Sequence, residues 1–265
     1  MSRARLVIIG GGNMGTALLG GLIHGDWDAS TITVVEIDAA KRAALEAEFG
    51  VQTSNHIVEA DGALIAVKPA DAVGVCAAAV AAGAPRILSI AAGVSVSALE
   101  KAAGPSAVVV RAMPNTPALV REGVTAICGS AACSDADFAW AESVLSAVGV
   151  VVRVPESQMD AVTAVAGSGP GYIFLLAEAL LDAATANGLP ADVADTLVRQ
   201  LFRGAGVLLA DSQESPATLR ERVTSPNGTT AAGLAQFEAA GLRETVNKVV
   251  AAAAARSAEI GASIS

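Results

Sequence analysis

Aromatic residues, cysteine, histidine and positive charge are all scarce in this sequence. Phe, Trp and Tyr make up 3% of the 265 residues although 53% are hydrophobic, so Ala, Val, Leu and Ile dominate, as suits packed helices and buried parallel strands. The formal net charge is −9, and no basic patch would neutralise phosphates, which argues against charge-driven binding of nucleic acid. No uncharged apolar run reaches the ~20 residues of a bilayer span, so we expect no membrane segment.

The few cysteines and histidines exclude further classes of site. Cys76, Cys128 and Cys133 are an odd number without CxxC spacing, and there are two histidines. Neither a disulfide framework nor a metal site is therefore predicted, and a reducing cytoplasm fits. The chain starts almost directly with an apolar strand and a glycine turn, which predicts no cleaved signal peptide.

Short β-branched runs alternate with Ala-rich helical stretches over residues 1–154. This alternation predicts right-handed βαβ crossovers and an α/β fold with a doubly wound, mostly parallel sheet. The predicted strands are Arg5–Ile9, Thr31–Glu36, Ala63–Val67, Arg86–Ile90, Val108–Arg111, Gly123–Cys128 and Val150–Val154.

Residues 155–265 predict a second, all-helical domain. Their apolar positions lie on nearly every helix face, which indicates packing against a second subunit as well as within the domain. The predicted helices are Ser157–Val165, Gly171–Asn187, Ala191–Asp211, Ser215–Val223 and Thr229–Ile260, the last dividing near Ala240–Gly241.

A glycine turn, Gly10-Gly11-Gly12-Asn13-Met14-Gly15, follows the first strand and opens a helix. This G-x-G-x-x-G pattern is typical of a dinucleotide-binding Rossmann domain. Gly10 permits the tight turn, Gly12 lets a pyrophosphate approach the backbone, and Gly15 allows close packing of helix and strand. Asn13 and Met14 then lie at the helix N-terminus, where free N–H groups favour an anion.

The residues after the second strand bear on the choice between NADH and NADPH. Glu36 stands at its end, where a carboxylate can accept hydrogen bonds from a ribose diol but would repel a 2′-phosphate. Lys41 and Arg42, on the next helix, could instead support a phosphate. Both cofactors therefore remain open.

Two further loops are predicted to face the cofactor, because ligands of a doubly wound sheet bind at the carboxyl ends of its strands. One is Ala66-Val67-Lys68-Pro69, in which the proline stops the strand. The other contains Asn115 between two prolines, and that stiffened turn could hold the nicotinamide amide.

The helical half has two polar turns, each before an apolar helix. One contains Ser168 and Gly169 in a Gly-Ser-Gly-Pro sequence, and the other runs from Ser225 to Thr230. Each is predicted to offer free helix N-terminal amides and hydroxyls, which suit a carboxylate, although either alone could be an ordinary helix start.

These motifs resemble those of the pyrroline-5-carboxylate reductase family. GGGNMG, AVKP, RAMPNTP, DAVTAVAGSGP and VTSPNGTTAAGL occur in that family's order and approximate spacing across nearly the whole chain. The resemblance implies a Rossmann domain, a helical dimerisation domain, and reduction of pyrroline-5-carboxylate to proline with NADPH or NADH. It also implies a homodimer that can assemble further into a decamer.

The resemblance assigns site residues by position. It implies cofactor contacts from the glycine turn, Asn55, Ala66, Val67, Lys68, Pro69, Ala91 and Ala92, and substrate contacts from Ser225, Gly228, Thr229 and Thr230. Two residues depart from the family pattern: Gly171 replaces the usual Ala, and Asn227 the usual Gly. Asn tolerates a left-handed backbone, so we expect the second turn to keep its shape.

The chemistry expected of such a site needs few side chains. A protonated imine is strongly electrophilic, so hydride transfer requires mainly alignment, and Thr230 is the candidate for a hydrogen bond to the ring nitrogen. One alternative is a β-hydroxyacid dehydrogenase, but Gly171–Asn187 lacks the lysine that those enzymes use on this helix. The other is a non-catalytic dinucleotide sensor, which would not need two anion-binding turns.

Overall fold

The strands form one sheet in the order β3-β2-β1-β4-β5-β6-β7-β8. The computed structural model describes residues 5–25 and 27–264. Strands β1 to β6 are parallel, β7 is antiparallel to β6, and β8 is parallel to β7, which confirms the doubly wound, mostly parallel sheet. The strands are β1 Leu6–Ile9, β2 Ile32–Val35, β3 Gln52–Ser54, β4 Ala63–Ile65, β5 Arg86–Ser89, β6 Val108–Met113, β7 Gly123–Gly129 and β8 Gly149–Arg153.

Strand β3 was not predicted from the sequence. Its three residues are polar and none is buried, so neither alternation nor an apolar run indicates a strand. It forms because its backbone pairs with β2 at the sheet edge, with Val34 opposite Thr53.

Helices cover both faces of the sheet, so its central strands are buried throughout. On one face Leu6 and Ile8 join a core with α1 and α5, and on the other Val7 joins α3 and α4. Burying each large side chain contributes about 1.5–3 kcal/mol. The helices of this layer are α1 Asn13–His24, α2 Ala39–Phe49, α3 Pro69–Ala81, α4 Val96–Ala103 and α5 Asp135–Leu145, with short 3₁₀ turns between several elements.

The second half is helical, as predicted. A left-handed Gly241 separates α10 from α11, which confirms the predicted division. The elements are α6 Met159–Val162, a π-helical turn Thr163–Gly167, α7 Gly169–Ala186, α8 Ala191–Asp211, α9 Pro216–Arg222, α10 Thr229–Ala239 and α11 Leu242–Ile264.

The chain divides into two compact units, one comprising residues up to 168 together with those from 252 onward, the other Gly169–Ala251. This division differs from the boundary predicted between residues 154 and 155. Met159 packs in the first unit with Val96, Ala126 and Cys128, and Ser257 Oγ donates a 2.7 Å hydrogen bond to Asp160. The start of the helical half and its last turns therefore belong to the sheet unit.

The second unit has little core of its own within one chain. Ala194 and Val198 are the buried apolar residues among those described in Gly169–Ala251, whereas Phe174 and Leu175 are each 66% exposed. One helical run of the described chain, 156–186, is also long and apolar enough to cross a membrane by length and composition. A single run of this kind is weak evidence, because core and interface helices pass the same test.

Candidate active site

Gly10 and Gly15 are required by the fold around the first turn. Gly10 has φ +111°, and a Cβ there would lie 2.5 Å from the Ala66 carbonyl oxygen at the end of β4. A Cβ on Gly15 would overlap the Gly10 carbonyl oxygen. The two glycines thus let α1 start directly against the ends of β1 and β4.

Gly12 is different, because the protein itself leaves room for a side chain there. A Cβ at Gly12 would meet no atom of the described residues within 4 Å, and φ −78° with ψ −179° is open to any residue. Gly12 is also the N-cap of α1 and makes no side-chain capping bond. The free space and the uncapped N–H groups have the geometry that suits an anion, and a groove of about 590 Å³ borders Gly12 and Asn13.

The Glu36 carboxylate lies beside this turn. Its Oε2 accepts a 3.1 Å hydrogen bond from the Gly11 N–H, and its Oε1 accepts one of 3.0 Å from the Asp38 N–H. Glu36 therefore helps to fix the glycine turn, a role that its position at a strand end did not reveal. Each oxygen keeps a second acceptor position for a ribose hydroxyl.

Arg42 is held close to Glu36 by backbone contacts. Its Nη1 donates to the Glu36 carbonyl oxygen at 2.7 Å and to the Ile37 carbonyl oxygen at 3.0 Å. The guanidinium thus stands at the same strand end as the carboxylate. The carboxylate that the sequence predicts for a ribose and the guanidinium that it predicts for a phosphate therefore lie close together.

The other predicted cofactor residues also lie at the carboxyl ends of the parallel strands. Asn55 follows β3, and the neighbouring Ser54 carbonyl oxygen accepts a 3.0 Å bond from the Glu36 N–H. Ala66, Val67 and Lys68 connect β4 to α3, which Pro69 begins, and Ala91 and Ala92 follow β5. This edge is where a doubly wound sheet binds ligands.

Asn115 is buried, and its side chain bonds to the protein at both ends. Its Oδ1 accepts from the Val124 N–H at 2.9 Å, and its Nδ2 donates to the Ala166 carbonyl oxygen at 3.1 Å. It thereby joins the start of β7 to the π-helical turn. Contact with the nicotinamide amide stays a prediction and would use the remaining Nδ2 hydrogen.

The segment around Ser168 and Gly169 is not the loop that the sequence predicted. Residues Thr163–Gly167 form a π-helical turn, and the Ser168 N–H donates to the Thr163 carbonyl oxygen at 2.8 Å, so it is not a free helix-terminal amide. Gly167 packs so closely on Met113 that a Cβ would lie 2.7 Å from its Cε. Turns of this π type recur at functional sites.

The turn before α10 has the geometry that the sequence predicted. Asn227 adopts a left-handed backbone with φ 59°, and the Gly228 N–H donates to the Ser225 carbonyl oxygen at 3.0 Å. A Cβ on Gly228 would overlap Ser225 Oγ. Within the described part of the chain no side chain caps α10, and the hydroxyl-bearing residues Ser225, Thr229 and Thr230 of this turn are exposed.

The thiols are packing groups. Burial raises the pKa of Cys76 and of Cys128 to about 11, and nearby Glu156 also raises that of Cys128. Among the described residues no cluster of three or more His, Cys, Asp or Glu could hold a metal ion.

Together these features define a class of protein: a nicotinamide-dinucleotide oxidoreductase with a Rossmann domain and a helical second domain. Comparison with known families identifies it further. A family model described as pyrroline-5-carboxylate reductase dimerisation matches residues 156–260, and one described as NADP oxidoreductase, coenzyme F420-dependent, matches residues 5–93.

Relatives resemble the chain over nearly its full length. A pyrroline-5-carboxylate reductase of Pseudomonas aeruginosa is 41% identical, with 98% of each chain covered. The structure of a pyrroline-5-carboxylate reductase from Coxiella burnetii superposes with a TM-score of 0.92 at 35% identity, covering 98% of this chain and 99% of that one. The Plasmodium falciparum pyrroline carboxylate reductase with NADP bound gives 0.83 at 27% identity, covering 98% and 99%. The chain belongs to the pyrroline-5-carboxylate reductase family.

Proposed function

We propose that this protein reduces the C=N bond of Δ1-pyrroline-5-carboxylate to give L-proline, the last step of proline biosynthesis, with NADPH or NADH as reductant. The observation that carries the proposal is the similarity to a pyrroline-5-carboxylate reductase at 41% identity over 98% of both chains. It extends over the glycine turn and the helical half alike, so the activity does not rest on a Rossmann fold alone.

The first unit has the features that a dinucleotide requires. The space at Gly12 and the uncapped start of α1 suit its pyrophosphate, and Gly10, Asn13, Met14 and Gly15 of the same turn are the proposed further contacts. Ala66 to Pro69 and Ala91 to Ala92 would hold the nicotinamide end. When bound, the reduced cofactor supplies the hydride.

The turn before α10 suits a small carboxylate with a ring nitrogen. Its free N–H groups and the helix dipole favour the substrate carboxylate, with Ser225, Gly228 and Thr229 around it. Thr230 Oγ1 would then hydrogen-bond the ring nitrogen and orient the iminium. Ser168 and Gly169 are proposed as further substrate residues, supported by the π-helical turn next to them.

The decisive experiment for the activity is an assay of the purified protein. Oxidation of NADH or NADPH should depend on added pyrroline-5-carboxylate and yield proline in equal amount. A β-hydroxyacid offered with oxidised cofactor is the control, because the rival dehydrogenase would consume it. If neither cofactor gives proline above background, the proposal is wrong.

A homodimer is the proposed working unit, with a decamer as a further assembly. The support is the match to a dimerisation domain together with the exposed apolar side chains of α7 and α8, such as Phe174 and Leu201. Light scattering at low micromolar concentration should give at least twice the chain mass. A stable and active monomer would contradict this.

We infer a cytoplasmic location from the three free thiols, which a reducing compartment preserves. The proposed partners are the small-molecule substrate and further copies of the chain, with neither nucleic acid nor membrane. Cell fractionation should recover the protein with the soluble contents, and recovery in the membrane fraction would refute the location.

A further inference from the structure

Glu156 makes two contacts through a single carboxylate oxygen. Its Oε1 accepts a 2.7 Å hydrogen bond from the Val96 N–H and a 3.1 Å hydrogen bond from Arg111 Nη1. Glu156 lies in the turn that leads into α6, far along the chain from both partners. The one signal for it in the sequence is Arg111, a charged residue within an apolar strand.

The two partners of Glu156 lie next to the loops that leave β5 and β6. Val96 is the first residue of α4 and ends the β5 loop, which contains Ala91 and Ala92. Arg111 lies near the end of β6 and pairs in register with Ser89 of β5. Glu156 therefore ties together two neighbouring strand ends at the edge where the nicotinamide end of the cofactor is expected.

Each contact satisfies a group that has few other partners. The Arg111 side chain is only 9% exposed, so its charge depends on the partner carboxylate rather than on water. The Val96 N–H is one of the helix N-terminal groups that otherwise need a partner. Loss of the carboxylate would leave both groups without this acceptor.

The β5 loop is also packed from the outside. Gly93 has φ +77°, and a Cβ there would lie 3.1 Å from the Ile260 side chain of α11. The loop is thus held at Gly93 by packing and at Val96 by Glu156. Ala91 and Ala92 directly precede the first of these two fixed points.

We propose that Glu156 is a positioning residue for hydride transfer: it fixes the β5 and β6 loops against each other and so aligns the nicotinamide ring. The residue does not touch the reacting atoms. It acts through the Val96 amide and the Arg111 guanidinium. This inference rests on the proposed reductase activity.

The test is the variant Glu156→Gln, which keeps the shape and an acceptor for Val96 but removes the charge that Arg111 needs. Because a displacement of about 1 Å can cost roughly a hundredfold in rate, we expect kcat to fall by about tenfold or more. Affinity for the cofactor, measured directly by fluorescence titration, should change by less than about threefold, since the pyrophosphate site at Gly12 is untouched. The primary isotope effect with 4-deuterated cofactor should increase, because hydride transfer becomes slower relative to the other steps.

The matched control is Glu142→Gln. The Glu142 side chain is 33% exposed against 39% for Glu156, and it pairs with Arg153 at 2.6 Å away from both loops. A merely structural role would lower the amount of folded enzyme in both variants without altering the isotope effect. Should the Gln variant fail to fold, Glu156→Asp keeps the charge, withdraws the carboxylate by one methylene, and should show the same change to a smaller degree.

The outcomes separate this inference from the proposed activity. A wild-type protein that makes no proline refutes the activity. An active wild type, with Glu156→Gln matching Glu142→Gln in kcat and isotope effect, refutes the positioning role alone. A large loss of cofactor affinity with unchanged kcat would also overturn it.

Discussion

Gly12→Ala should weaken cofactor binding while leaving the fold intact. The added methyl would meet nothing within 4 Å among residues 5–25 and 27–264, and the backbone angles there are ordinary ones. It would instead occupy the space that the pyrophosphate needs next to the N-terminus of α1. The clash is therefore with the ligand and not with the protein.

The expected magnitude follows from the N–H bonds to the phosphate. A hydrogen bond to a charged group contributes about 1.5–3 kcal/mol, so losing one such bond should raise the cofactor Kd roughly ten- to a hundredfold.

Two effects of Gly12→Ala on the stability of the free protein oppose each other. Ala reduces the entropy of the unfolded chain, a gain of about 0.4–1 kcal/mol, but it is a poorer N-cap than glycine by a similar amount. The melting temperature of the free enzyme should hardly move.

Isothermal titration with NADPH and NADH, beside thermal melts without ligand, measures both quantities. Gly74→Ala is the control for a harmless methyl, since a Cβ there also meets nothing within 4 Å, in the exposed part of α3. Gly15→Ala is the opposite control and should unfold the domain, because its Cβ would overlap the Gly10 carbonyl oxygen. If Gly12→Ala binds both cofactors as tightly as wild type, the space at Gly12 does not belong to a ligand. If Gly12→Ala melts far below Gly74→Ala, the protein does not have room for a methyl group at Gly12.

Three other predictions test the substrate, the cofactor preference and the thiols. Thr230→Val should lower kcat/KM about ten- to a hundredfold with unchanged melting temperature, because one hydrogen bond to a charged nitrogen is lost. Thr230→Ser should keep much of the activity, and a fully active Val variant would show that Thr230 does not bind the substrate nitrogen. Glu36 is predicted to tilt selectivity toward NADH, so Glu36→Ala should raise kcat/KM for NADPH relative to NADH. An unchanged ratio would mean that the carboxylate does not contact the ribose and serves only the Gly11 and Asp38 N–H groups. Cys76 and Cys128 should resist a thiol reagent at pH 8 in the native enzyme, because their pKa of about 11 keeps them protonated. If the native wild-type enzyme is labelled and the Cys128→Ser variant loses that label, Cys128 is reactive and the prediction is wrong.

The sequence alone determined the features that depend on local order. Strand and helix periods indicated the parallel sheet and the helical half, and the break at Gly241 followed from a residue suited to positive φ. The left-handed Asn227 could be predicted for the same reason. The five ordered motifs were enough to indicate the family.

Tertiary structure alone decided which groups meet. Strand β3 depends on pairing with β2, and no local pattern indicated either this strand or the π-helical turn at Thr163–Gly167. Glu156 and Arg111 are 45 positions apart in the sequence. The sequence signal for this pair was Arg111 itself, a charged residue in an apolar strand that needs a partner when buried. Periodicity is a property of neighbours along the chain, whereas a hydrogen bond or an empty space at Gly12 is a property of neighbours in the folded molecule.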